Sequence, residues 1–178
     1  MLLNKDLSSL QIIPVKRDAY VLQFEYSNDE TMKYFKQQID KKIGPMSHKT
    51  NVKGEMTYFD AFLKDSVFLN FIESFFLPKI YQYQKLFPQT STFAKEKKIK
   101  VIDAWGNKLE KGNQVIHHTH YPAQWSSTLY FCDSAPLVTE AGEFKTCKGK
   151  IITISGWILH GVEPVDKERY CLVWNWNK

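Results

Sequence analysis

Gln114-Val115-Ile116-His117-His118-Thr119-His120 decides how this chain is read. The stretch reads as a short strand, and in a strand successive side chains alternate faces, so His118 and His120 point one way and Thr119 the other. Forty residues past His120, Trp157-Ile158-Leu159-His160 brings another imidazole, and Arg169 follows nine residues later. If the strand carrying His160 lies beside the first in a barrel, three neutral nitrogens converge. Imidazole is the commonest protein ligand for iron, zinc, copper and nickel, so the pattern predicts a metal site with open positions. Arg169 on an inward face would add a bidentate clamp for a carboxylate. The plainer readings are a solvated or core-packed histidine cluster and, for Arg169, a surface salt bridge with Glu168 or Asp166.

Around this stretch the second half reads as β. Lys100 to Trp105, Ser126 to Cys132, Lys150 to Ile154 and Tyr170 to Asn175 are short segments bounded by glycine, proline, asparagine or charge. Strands at roughly ten-residue spacing predict a small jelly-roll or cupin-like barrel. On the last strand Arg169, Cys171, Val173 and Asn175 share a face, and on the middle one Ser126, Thr128, Tyr130 and Cys132 do. Arg169 with Tyr130 could then hold a carboxylate one side-chain length from the metal, and Asn175 is the third candidate cofactor-binding residue. Trp105, Trp125 and Trp157 are candidate pocket walls, although core packing suits each of them better.

The first half reads as two strands and two helices. Gln11 to Val15 and Ala19 to Tyr26 are strands, the second alternating about Tyr20, Leu22, Phe24 and Tyr26. Ser27-Asn28-Asp29-Glu30 opens a helix over Thr31 to Lys42, with Met32, Phe35 and Ile39 on one side and Gly44-Pro45 ending it. Ser47 to Glu55 is expected to be a polar loop. Phe68, Phe71, Ile72 and Phe75 make a helical stripe, which Pro78 kinks or restarts before Ile80, Tyr83 and Phe87. Such a stripe is expected to pack against a sheet.

The fold expected is therefore α+β, mainly β, in one domain over residues 1–178. Residues 1–98 supply N-terminal strands and helices packed on one face, and residues 99–178 the metal-binding β core. A chain of 178 residues with 43% hydrophobic and 15% aromatic residues can bury a core that houses a small-molecule pocket. The net charge of +5 gathers in Lys41-Lys42 and in Lys95 to Lys100, a pattern that fits a solvated surface better than a nucleic-acid footprint. Cys132, Cys147 and Cys171 are odd in number and widely spaced, which suits a reducing cytoplasm. Met1 to Asp6 has no apolar stretch suited to a signal peptide, and no apolar run suits a membrane span.

From about Val101 to Asn177 the chain resembles the 2-oxoglutarate/iron(II)-dependent oxygenases with a double-stranded β-helix core. The resemblance rests on Trp105-Gly106-Asn107, Gly112, His118-Thr119-His120, Ser126 ahead of Tyr130, Gly149, Trp157 to Pro164, and Arg169 to Asn175. It implies that His118 and His160 are iron ligands, that Arg169 grips the far carboxylate of 2-oxoglutarate, and that Tyr130 assists it. It also implies dioxygen as a co-substrate and hydroxylation of a small-molecule or protein substrate, with release of succinate and carbon dioxide. Most of the superfamily has a carboxylate two residues after the first histidine, and this chain has His120. Either His120 ligates as a third imidazole, which the i, i+2 spacing favours, or it stands aside and leaves an open position.

Two other readings compete. Gly112-x5-His118-x-His120 resembles the start of the cupin signature, so a cupin-type isomerase or a dioxygenase independent of 2-oxoglutarate is the nearest alternative. Cupins then require a glutamate where this chain has Gln124 and Trp125, and Pro-x-Gly where it has Ser155-Gly156-Trp157. In the remaining reading the histidines belong to a non-catalytic binding module.

Overall fold

Capping and alternation, the two signals read above, shape the first layer of the computed structural model, which describes residues 11–16, 19–44, 46–86 and 98–178. β1 (Gln11–Lys16) and β2 (Ala19–Glu25) pair antiparallel. α1 (Asp29–Lys42) starts at Asn28, whose side chain accepts from the Thr31 N–H, and it buries Met32, Phe35 and Ile39. Asp29 and Glu30 in its first turn and Lys41 and Lys42 in its last complement the helix dipole.

The second helix departs from a plain α-helix. α2 (Ser66–Phe71) runs into a π-helical turn, Ile72–Phe76, and resumes as α3 (Leu77–Leu86). The wider turn carries an extra residue, so the buried face advances by one position. Phe68, Phe71, Ile72 and Phe76 are buried, whereas Phe75, expected in the stripe, is only half-buried. Pro78 has no N–H to donate and crowds the preceding turn, and the loosened turn sits immediately before it. Phe87, the lysine-rich stretch from Lys95 to Lys97 and Met1 to Asp6 lie outside the described residues.

The expected polar loop from Ser47 to Glu55 contains two small strands, β3 (Val52–Lys53) and β4 (Glu55–Met56). Two residues are too few to show alternation. The β half then comprises β5 (Lys100–Leu109), β6 (Gln114–His118), β7 (Trp125–Tyr130), β8 (Ser134–Thr139), β9 (Gly142–Thr146), β10 (Lys150–Ser155), β11 (His160–Val162) and β12 (Arg169–Asn177). Among the described residues the strands form two antiparallel sheets, ordered β1-β2-β10-β7-β12-β5-β4 and β3-β6-β11-β8-β9. The architecture is mainly β with helices on one side, and the two facing sheets give it a jelly-roll-like form.

The larger sheet is covered on both faces. Leu22, Phe24, Leu129, Ile151, Leu172 and Trp174 meet the helices, packing against Phe35, Phe68, Phe71 and Phe76. On the opposite face Trp105, Tyr130, Ile152, Cys171 and Val173 meet Val52, Val115, Leu137 and Val162 of the smaller sheet. Gly106 lets α1 seat closely, because a Cβ there would lie 2.2 Å from Ile39 Cγ1. Some polar groups under the helices are paired locally: Ser127 and Thr153 share a 2.8 Å hydrogen bond, and Trp176 Nε1 donates to Ser127 Oγ at 2.9 Å.

Candidate metal centre

His118 is the last residue of β6 and His160 the first of β11, and the two are direct partners across the antiparallel ladder. The smaller sheet alone therefore brings two imidazoles together. His120 is placed differently from expectation, because β6 ends before it and strand alternation does not orient it. Its backbone does the work: the His120 N–H donates to the Gly156 carbonyl at 2.7 Å, and the Gly156 N–H donates to the Gln124 carbonyl at 2.7 Å. Glycine is required for that crossing, since a Cβ on Gly156 would lie 1.9 Å from the Ala123 carbonyl oxygen.

The result is a compact triad. Ring centroids are 4.5 Å apart for His118 and His160, 4.9 Å for His120 and His160, and 5.0 Å for His118 and His120. Each ring offers a nitrogen, and these nitrogens lie within 4.8 Å of one another. His118 Nδ1 is 2.8 Å from the Ile116 carbonyl and His160 Nδ1 is 2.9 Å from the Ile158 carbonyl. A carbonyl only accepts, so Nδ1 carries the proton in both rings and the Nε2 lone pair is left for a metal.

Burial keeps the rings neutral. Desolvation lowers the pKa of His118 and takes His120 well below the ordinary histidine value, and it carries His160 down to about 3. Neighbouring imidazoles add to the effect, since a proton on one disfavours a proton on the next. Three neutral nitrogens, with neither thiolate nor carboxylate in the group, fit iron, zinc, copper or nickel.

A pocket between the sheets joins the triad to Arg169, Tyr130, Asn107 and Cys171. Arg169 is 3% exposed, which rules out the surface salt bridge, and Glu168 pairs instead with Lys36 at 3.1 Å. The Arg169 guanidinium sits 5.0 Å from the Tyr130 ring centre, Nη1 reaches Cys171 Sγ at 3.9 Å, and Nε has no hydrogen-bond partner. Tyr130 Oη, Asn107 Oδ1 and Trp105 Nε1 are also buried without a partner. Burial pushes the Tyr130 phenol up despite the cation beside it, so it stays a donor. A guanidinium held away from water without a carboxylate partner is costly, and the Tyr130 hydroxyl and Trp105 N–H in the same cavity are further donors that suit an anion, whereas Asn107 Oδ1 is an acceptor.

Asn175 does not line this cavity. It lines a second one of about 370 Å³, together with Asp103 and Phe59, which shares Val52, Trp105, His118 and His120 with the first. Of the three tryptophans, Trp105 lines both cavities. Trp125 lies under the helices, stacked on Trp176 at 5.5 Å, and Trp157 is exposed and lines neither. Sequence reasoning missed Asn107 and Asp103 as cavity residues. The usable signal was alternation along β5, where Asp103, Trp105 and Asn107 face the cavities and Ala104 faces the helices.

No family model and no curated protein matches the chain. Solved structures do. The viral collagen prolyl hydroxylase from Paramecium bursaria Chlorella virus-1, in complex with 2-oxoglutarate, is similar at 16% identity and a TM-score of 0.58, over 88% of this chain and 94% of that one. OsALKBH1 gives a TM-score of 0.61 at 11% identity, over 93% and 99%. An oxidoreductase of the 2OG-Fe(II) oxygenase family from Burkholderia pseudomallei gives 0.52 at 15% identity, over 96% and 73%. With its histidine triad inside the same scaffold, the chain has the fold of the 2-oxoglutarate/iron(II) oxygenases.

Proposed function

We propose that the chain is a non-haem iron(II) and 2-oxoglutarate-dependent dioxygenase with a double-stranded β-helix core. It hydroxylates an organic substrate while 2-oxoglutarate and dioxygen become succinate and carbon dioxide. Iron(II) with 2-oxoglutarate would supply the two-electron oxidation by dioxygen that amino-acid side chains lack. His118, His120 and His160 hold the metal through nitrogens kept neutral by burial, with His118 and His160 oriented by their Nδ1–H bonds. Arg169 binds the far carboxylate of the co-substrate and Tyr130 donates to it, pairing groups that are otherwise buried alone. Val115, Leu137, Val162 and Val173 line the same cavity and exclude water. Asn175, on the neighbouring cavity, contacts substrate rather than the carboxylate.

The observation that carries this reading is Arg169, a buried guanidinium with no carboxylate partner in the cavity that holds the triad. It favours the oxygenase over the cupin reading, which has no need of an anion clamp. Three imidazoles leave the metal's charge uncompensated, so a doubly anionic co-substrate offsets two of the three positive charges that iron(II) and Arg169 bring to the cavity. Anaerobic titration with iron(II) and then 2-oxoglutarate is expected to produce a weak visible charge-transfer band, and oxygen then to yield succinate. His118→Ala and His160→Ala are expected to lose metal, by more than about a hundredfold in affinity. Stoichiometric iron in both variants defeats the reading, and bound iron without the band favours the cupin alternative.

A further inference from the structure

The second cavity reaches His118 and His120 without including Arg169, and its chemistry is the opposite of the first. The first is lined by the Arg169 guanidinium, with no carboxylate among its lining residues. In the second, Asp103 is the one carboxylate among the lining residues, and neither lysine nor arginine lines it. Asn175 Nδ2 donates one of its two hydrogens to Asp103 Oδ2 at 3.3 Å. Asn175 is 7% exposed, and its Oδ1 is buried without a partner. Two acceptors are therefore left for a ligand: a carboxylate oxygen and an orphaned amide oxygen.

Aromatic side chains complete the cavity. Phe59 is 41% exposed and meets Trp105 edge-on at 5.2 Å, and Tyr121 is 79% exposed. Aromatic faces beside a carboxylate attract a cation, through the ring quadrupole as well as the charge. A neutral donor would satisfy Asn175 and leave Asp103 without a counter-charge. We propose that this cavity binds the ammonium or guanidinium end of the substrate, setting the carbons beside that group near the metal. The inference deepens the oxygenase reading and rests on it for the role of the triad.

The test is anaerobic calorimetry on the chain loaded with iron(II) and 2-oxoglutarate. The probes are arginine amide, lysine amide, the neutral isostere citrulline amide, cytidine, and a five-residue glycine peptide with a central arginine. At least one cationic amide is expected to bind about tenfold or more tightly than citrulline amide, and Asp103→Asn is expected to erase that margin. Tighter binding of the peptide than of arginine amide assigns the cation to a polypeptide, and the reverse to a small molecule; either outcome keeps the charge requirement. Equal affinity for citrulline amide, no binding of either cation, tighter binding of cytidine, or a margin that survives in Asp103→Asn overturns the proposal. The comparison within the unaltered chain stands even if Asp103→Asn does not fold. Loss of the charge-transfer band with the cation margin intact defeats the oxygenase reading alone, and the band without the margin defeats this inference alone.

Discussion

The two faces of β12 divide the labour of the molecule. On the helix side Tyr170, Leu172, Trp174 and Trp176 sit in an aromatic layer, with Phe71 and Phe76 edge-on to Trp174 at 5.6 and 5.0 Å. On the inner side Arg169, Cys171 and Val173 line the cavity of the triad, and Asn175 lines its neighbour. The outer face gains from burial and ring contact. The inner face leaves Arg169 Nε, Tyr130 Oη, Asn107 Oδ1 and Asn175 Oδ1 buried without partners. A single strand thus packs the fold with its even-numbered residues, although Trp174 Nε1 is left without a partner there, and turns Arg169, Cys171, Val173 and Asn175 to the cavities.

The contrast breaks most visibly at Trp174. Trp174→Ala is expected to cost about 3–5 kcal/mol, read by denaturant unfolding, through the cavity it leaves among rings. Iron affinity of the fraction that remains folded should not change. Acid should act on the other face. The folded-state pKa of His160 lies at about 3, below the ordinary 6.5, and those of His118 and His120 are lowered too. A lowered histidine pKa means that the unfolded chain takes up the proton first. Stability is therefore complete above about pH 6.5 and falls between about pH 6.5 and 3. Circular dichroism of the metal-free chain against pH should show this, and His160→Gln should move the transition to lower pH. A transition that does not move would mean that other groups control acid unfolding.

Arg169→Met sharpens the comparison because its two readouts should move in opposite directions. Removing a buried charge that has no carboxylate partner is expected to stabilise the metal-free chain by about 1–4 kcal/mol. The rise in melting temperature that 2-oxoglutarate gives the iron-loaded chain should vanish. Loss of stability together with retained co-substrate stabilisation would make Arg169 a packing residue. Gly106→Ala should have the smallest effect, about 1–3 kcal/mol from overpacking against Ile39. Trimming the neighbour in Gly106→Ala/Ile39→Val should restore part of it, and no restoration in thermal unfolding would place the strain elsewhere.

The legible parts of the molecule were those in which chemistry and period coincide. His118, His160 and Arg169 announce themselves by residue type and order, and the face of β12 follows from alternation. His120 was expected in the triad through strand alternation, yet a loop tied to the Gly156 backbone brings it there. Which side of β5 would face a cavity depends on where α1 packs, so Asp103 and Asn107 were not legible from their own surroundings. The π turn escaped because Phe75 and Phe76 are both phenylalanine, and residue type could not choose between them. Strands of two or three residues, such as β3, β4 and β11, are too short for any period.

His118 and His160 each bond to a carbonyl only two residues earlier in the chain. Because a peptide carbonyl is present whatever the residue, the aim of these two rings is independent of the identities of their sequence neighbours. Ile116 and Leu159, both substantially exposed, can therefore change without turning a ligand, provided the strands keep their register. Substrate preference could diversify around a centre built this way while ligand orientation is inherited unchanged.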